Sequence, residues 1–191
     1  MPRCLLLSVA LLTIAVTSAT AQALPLVLGK LNVAATSGSR ADRSGWNIGP
    51  LHFDLPTSWS NTSTDLVAKL SGPAKSVATF VMLQATPEAH SGGYSVLEDR
   101  GRGPLGFADS LMWEDCIGNP KRVVRQLPSS GAVKALYAVC KVKSLPGADE
   151  TYLQATFYTR SHIVQVHAVG SAQDMRDLVD ALSSYSWRGD T

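Results

Sequence analysis

A chain of 191 residues can bury one sizeable core, and 45% hydrophobic against 17% charged residues excludes a disordered or low-complexity polymer. With 17 Lys and Arg against 15 Asp and Glu the formal charge is +2, which gives no global drive towards nucleic acid or an acidic membrane surface. No repeat with a period of about 20–50 residues is visible, so a solenoid is not expected.

In chain order, the first element is a leader. Arg3 supplies a positive start, "CLLLSVALLTIAV" (4–16) an uncharged apolar run, and "TSATAQA" (17–23) small residues suited to cleavage after Ala21 or Ala23. This is the grammar of a secretory signal peptide over residues 1–23. The alternative, a retained anchor, wants about 20 apolar residues to cross a bilayer. Cys4 precedes the run, so the run does not end in a lipidated cysteine. The mature chain is expected to be soluble and periplasmic or secreted, with no stable membrane insertion. Removal of residues 1–23 takes away Arg3 and Cys4, which lowers the formal charge to +1 and leaves two cysteines, Cys116 and Cys140.

Residues 24–35, "LPLVLGKLNVAA", are apolar and read as a strand or a short helix. Residues 36–45, "TSGSRADRSG", read as a mobile linker. A single domain is expected over 46–191. In "WNIGPLHFDLPTSW" (46–59), Leu51, Phe53 and Leu55 alternate with His52 and Asp54. This gives strand, turn at Gly49–Pro50, strand, and a stop at Pro56. "DLVAKLSG" (65–72) is favoured as a strand, and "SVATFVMLQA" (76–85) as a central strand covered on both faces. Residues 86–103 are loop-rich. Pro104 can open a helix that carries Leu105, Ala108, Leu111 and Met112 and ends at Gly118–Asn119–Pro120.

Residues 121–144 read as two strands joined around Pro128 to Gly131. In the second, Leu136, Ala138, Cys140 and Val142 share one face and Val133, Ala135, Tyr137 and Val139 the other. Both faces are apolar, so helices or loops should cover both. Residues 151–160 and 162–169 form a hairpin about Ser161. "SAQDMRDLVDALSSY" (171–185) is the clearest helix. It has Ser171 as N-cap, Asp174 in the first turn, and Met175, Leu178, Val179 and Leu182 at helical spacing. The sum is an α+β fold, an antiparallel sheet flanked by helices.

Export puts Cys116 and Cys140 in an oxidising compartment, where one pairing is available. Closing that loop, about 25 residues long, stabilises by roughly 3–4 kcal/mol in the chain-entropy account. It requires the two Cα atoms within about 7 Å. Two free thiols, or a catalytic or metal-binding pair, are the alternatives. The nearest histidine in sequence to Cys116 is His90, which is far for a metal motif.

"IGPLHFDLPTSW" and the closing stretch "TYLQATFYTRSHIVQVHAVGSAQDMRDLVDALSSYSW" resemble the opening strands and the final hairpin and helix of the PsbP-like superfamily, which includes bacterial exported proteins of the DcrB type. The resemblance covers about a third of the mature chain, in pattern and not in a signature motif. It implies a three-layer sandwich and a role in binding other macromolecules. It supplies no catalytic residues to carry over and no cofactor.

Chemistry-bearing residues are sparse. His162 and His167 are an odd number apart, so on one strand they face opposite ways. His52 alternates with apolar residues, and His90 lies in a Gly-rich loop. Glu114 and Asp115 beside Cys116, and Glu98 and Asp99 beside "RGRG", read as solvated carboxylates. Asn61-Thr62-Ser63 fits a glycosylation sequon, relevant in a eukaryotic source. One asymmetry stands out. Residues 116–148 contain Lys121, Arg122, Arg125, Lys134, Lys141 and Lys143 and no acid, while Asp174, Asp177 and Asp180 bias the last helix the other way. This basic hairpin is a candidate patch for an acidic partner, or a set of charges that keeps strand edges soluble.

These readings converge on an exported, non-catalytic binding or accessory protein of the bacterial envelope, with another protein as partner and no nucleic acid. An immunity protein that neutralises a delivered toxin, and a small secreted hydrolase using His90 with Glu98 or Asp99, are the alternatives. A structural envelope subunit would show an exposed apolar patch near residues 24–35.

Overall fold

Most of the described residues lie in antiparallel strands, many of them with period-two alternation. The computed structural model describes residues 26–64, 67–93, 125–128, 133–141 and 150–189. Eight strands form the larger sheet: β1 (Leu26–Gly29), β5 (Ser60–Asn61), β6 (Ala68–Ser71), β7 (Val77–Ala85), β8 (Arg125–Gln126), β9 (Lys134–Lys141), β10 (Thr151–Tyr158) and β11 (His162–Gly170). Their order is β5-β6-β7-β11-β10-β9-β8. β1 and β6 share the remaining edge of β7 end to end, β6 across Val77 to Phe80 and β1 across Met82 to Ala85. Four strands form the smaller sheet: β2 (Val33–Ser37), β3 (Arg43–Ile48), β4 (Leu51–Pro56) and β12 (Ser186–Trp187), in the order β12-β4-β3-β2. Among the described residues the α-helices are a short α1 (Pro87–Ser91) and α2 (Ala172–Ser183), with a 3-10 turn at Pro73–Lys75.

The expected α+β layering, with helices flanking the sheet as in a PsbP-like three-layer sandwich, is not what forms. Strands hold 56% of the described residues and helices 16%, with one helix of seven or more residues. The physical reason lies in what covers the larger sheet. Its inner face is covered by the smaller sheet together with α2, which touches β4, β10 and β11. Phe53 of β4 stacks on Phe80 of β7 at 5.8 Å between ring centroids, tying sheet to sheet. The helix proposed to begin at Pro104 lies outside the described residues.

Residues 24–45, read as a segment and linker, contribute β1, β2 and the start of β3 from residue 26 onwards. β2 has almost no burial pattern, four of its five residues being exposed. Its backbone bonds to β3 hold it, from Val33 opposite Ile48 to Ser37 opposite Ser44. Composition therefore carried no strand signal there.

The β3–β4 hairpin turns through Gly49 and Pro50, with Ile48 opposite Leu51. Gly49 has φ +56, a conformation that a two-residue hairpin loop favours at its first position and that glycine adopts without strain. The β10–β11 hairpin closes at Thr159, whose N–H donates to the His162 carbonyl at 2.9 Å.

α2 begins as its sequence predicts. The Ser171 hydroxyl accepts from the Asp174 N–H at 3.1 Å. Asp174 is buried, and it takes a hydrogen bond from the hydroxyl of Ser76, which is itself fully buried. The Ser76 hydroxyl in turn accepts from the Ser171 N–H at 3.2 Å. Ser76 reaches this position because Gly170 has no side chain; a Cβ there would overlap the hydroxyl. Met175, Leu178, Ala181 and Leu182 then enter one continuous core with Ile48, Leu51, Phe53, Phe80, Leu153, Phe157, Val164 and Val166.

Candidate functional site

α2 does not cover the whole inner face of the larger sheet. Between its flank and the β8–β9 edge runs a groove of about 500 Å³. The sheet contributes Tyr137 and Val139 from β9, Thr151 from β10 and Arg125 from β8. Register explains the grouping. Tyr137 pairs with Arg125 on one side and Ala155 on the other, and Val139 pairs with Leu153, so all of these share the inner face. The helix contributes Ala172, Met175, Arg176, Val179 and Asp180, a stripe at spacings of three and four residues.

The groove is apolar at its base and charged at its rim. Val139 is 44% exposed, although Leu153 beside it is fully buried. Arg125, Arg176 and Asp180 carry the charges; Lys141, opposite Thr151 in the register, adds another on the same sheet face, four residues along β9 from the Tyr137 that pairs with Arg125. Among the described residues the one acid–base contact within 4.0 Å is His52 with Asp54, so none of the groove charges forms an ion pair with another described side chain. Arg176 does donate to the Gln173 side chain at 2.7 Å.

Sheet geometry divides the candidate basic patch. Arg125 and Lys141 lie on the inner face. Lys134, opposite Tyr158, lies on the outer face, because 134 and 141 differ by an odd number. Lys121, Arg122 and Lys143 lie outside the described residues. So does Cys116, and with it the geometry of its proposed pairing. Cys140 is 7% exposed on the outer face, opposite Tyr152.

The histidines stand apart from one another. The His52 Nδ1 lies 2.7 Å from the Asn47 Oδ1, on the open face of the smaller sheet. Its Nε2 is 4.0 Å from Asp54. Burial, then the nearby Arg188 guanidinium, hold its pKa below the usual value. Asp54 is held below the usual carboxylate range, first by hydrogen bonding from the Ser39 side chain, with the Ser39 N–H also donating at 2.8 Å. His162 and His167 point to opposite faces of β11, as their spacing predicts. His162 contacts the Ser161 hydroxyl at 2.8 Å, and His167 the Tyr152 hydroxyl at 2.9 Å. Burial lowers the His167 pKa. His90 lies in α1, while its proposed companions Glu98 and Asp99, together with Glu114 and Asp115, lie outside the described residues. Among the described residues no group of three or more His, Cys, Asp or Glu side chains is placed to hold a metal ion.

Sequence reasoning placed Val139 and Tyr137 on one strand face, and Met175 and Val179 on one helix stripe. It did not bring the two together, because the helix's lateral position on the sheet has no local sequence signal. Near residues 24–35, Val27 and Leu28 are 43% and 76% exposed. Among the described residues no helix is long and apolar enough to cross a membrane. No protein-family model matches the chain, and no curated protein matches it.

Proposed function

We propose that the chain is an exported binding protein of the bacterial envelope, acting without chemistry of its own, and that the groove beside α2 is where it holds its partner or ligand. The groove carries this reading. It is concave, its floor is apolar, and a few charged groups converge on its rim, the common composition of a small-molecule or peptide site. The leader over residues 1–23 supports export. Within the same reading, Cys116 and Cys140 form one disulfide that ties the β9 edge, next to the groove, to a distant part of the chain. Non-reducing peptide mapping of the mature protein is expected to recover the two cysteines in one linked pair; two free thiols would remove this element.

The reading is tested by affinity capture from the native host's envelope extract, comparing the mature protein with Ala172→Trp. Ala172 lines the groove, and an indole there fills it. A molecule retained by the parent protein and lost by the filled variant supports the reading. An identical retained set for both proteins overturns it.

A further inference from the structure

We infer that the groove accepts a small anionic amphiphile, meaning a single apolar chain or ring system that ends in one anionic head such as a carboxylate. The inference rests on the binding reading above and specifies its ligand. Two independent features of the groove point the same way.

The first is an apolar strip that no described residue covers. Tyr137, Val139, Met175 and Val179 line it from opposite sides. Val139 keeps 44% of its surface in water, while Leu153, its partner on the same sheet face, is fully buried. A cleft of about 500 Å³ suits one chain of a lipid-like or aromatic molecule and is too small for a folded domain.

The second is the charge at the rim. Arg125 stands on the sheet side and Arg176 on the helix side, and Asp180 is the one acid among the lining residues. No described acid lies within ion-pair distance of these cations. A guanidinium fork offers parallel N–H donors that match a carboxylate or phosphate head. An apolar body laid along Val139 and Val179 therefore leads its head to Arg125 and Arg176. A neutral or cationic amphiphile would leave those charges unmatched.

The experiment is calorimetric titration of the mature protein with decanoate, decan-1-ol and acetate. Decanoate is expected to bind at least about tenfold tighter than decan-1-ol, and acetate not to bind detectably. Arg125→Ala with Arg176→Ala should weaken decanoate about tenfold and leave decan-1-ol unchanged, while Asp180→Asn tightens decanoate. Circular dichroism confirms that each variant is folded. Equal binding of acid and alcohol, or no binding of decanoate, overturns the inference. If decanoate fails while Ala172→Trp still abolishes capture from the host extract, the anionic amphiphile is wrong and the binding groove stands. If Ala172→Trp changes nothing in that capture, the binding reading has failed on its own account.

Discussion

On β10, Leu153, Ala155 and Phe157 face inward, while Tyr152, Gln154, Thr156 and Tyr158 face outward. Opposite them on β11, Val164, Val166 and Ala168 face inward, and Ile163, Gln165, His167 and Val169 outward. The two faces of one sheet are thus built by different chemistry. Apart from Thr151 and His162 at the strand ends, the inner face is apolar along these strands, and away from the groove it is sealed by close packing. The outer face mixes aromatic, amide and imidazole groups, of which Gln154 and Gln165 are only 4% and 7% exposed. A register slip of one residue would exchange the two sets, so the pairing is strongly specified.

If the inner face carries most of the stability, truncations there should dominate. Phe157 is fully buried and meets Tyr185 edge-on at 4.8 Å. Phe157→Ala is expected to cost about 3–5 kcal/mol in urea unfolding. Thr156→Ala, one position along and facing outward, should cost about 1 kcal/mol or less. Equal losses would break the comparison.

The inner layer is also tied at one polar point. Ser76→Ala leaves the buried Asp174 carboxylate without its hydroxyl donor. The expected loss is about 1–3 kcal/mol. Gly170→Ala should mimic it by displacing the Ser76 side chain, and the two changes should be less than additive because they act on one contact. Full additivity in a double-mutant cycle would show that Ser76 and Gly170 act separately.

This division explains what could be read without coordinates. Strict alternation in "LHFDL" and the capped periodicity from Ser171 to Leu182 are local signals, and β4 and α2 follow them. The apolar character of both faces of β7 and β9 was legible too, but it does not say what lies on top. Helices were the expected cover; on the inner face a second sheet and one helix supply it. Half of that second sheet comes from β2 and β3; the strand read from Trp46 is the end of β3, while the Ala, Thr and Ser of β2 and the Arg43–Gly45 start of β3 give no alternation to detect. The groove depends on where α2 sits laterally across the sheet, which is set by long-range packing. Lys134 and Lys141 fall on opposite faces by simple parity, so the division of the basic patch was within reach of the sequence once β9 was drawn as a regular strand.

The outer face should reveal itself through pH. Burial depresses the pKa of His167 there, and that of His52 on the smaller sheet shifts in the same direction. Above the unfolded value of about 6.5, folded and unfolded chains both carry neutral imidazole, and neither shift affects stability. Below it, the unfolded chain takes up protons that the folded chain resists. Stability should therefore fall as pH drops through about 6.5 towards the depressed folded pKa. His167→Gln removes its share, so its stability should decline less than the parent's between pH 7 and pH 5. An unchanged slope would place the sensitivity elsewhere.

The smallest expected effect falls on the inner face itself. Val139 belongs to that face by register but sits over the groove, where water still reaches it. Val139→Thr keeps the shape of the side chain and exchanges one methyl for a hydroxyl that solvent can satisfy. Its effect on unfolding should stay within about 0.5 kcal/mol, as at an exposed site. The same substitution makes the groove wall more polar, so decanoate binding should weaken while unfolding barely changes. That pairing of outcomes would mark the boundary at which the sheet's packing face becomes a binding face. A stability loss of the size seen in the core would mean that the groove is closed in solution and that Val139 is one more core residue.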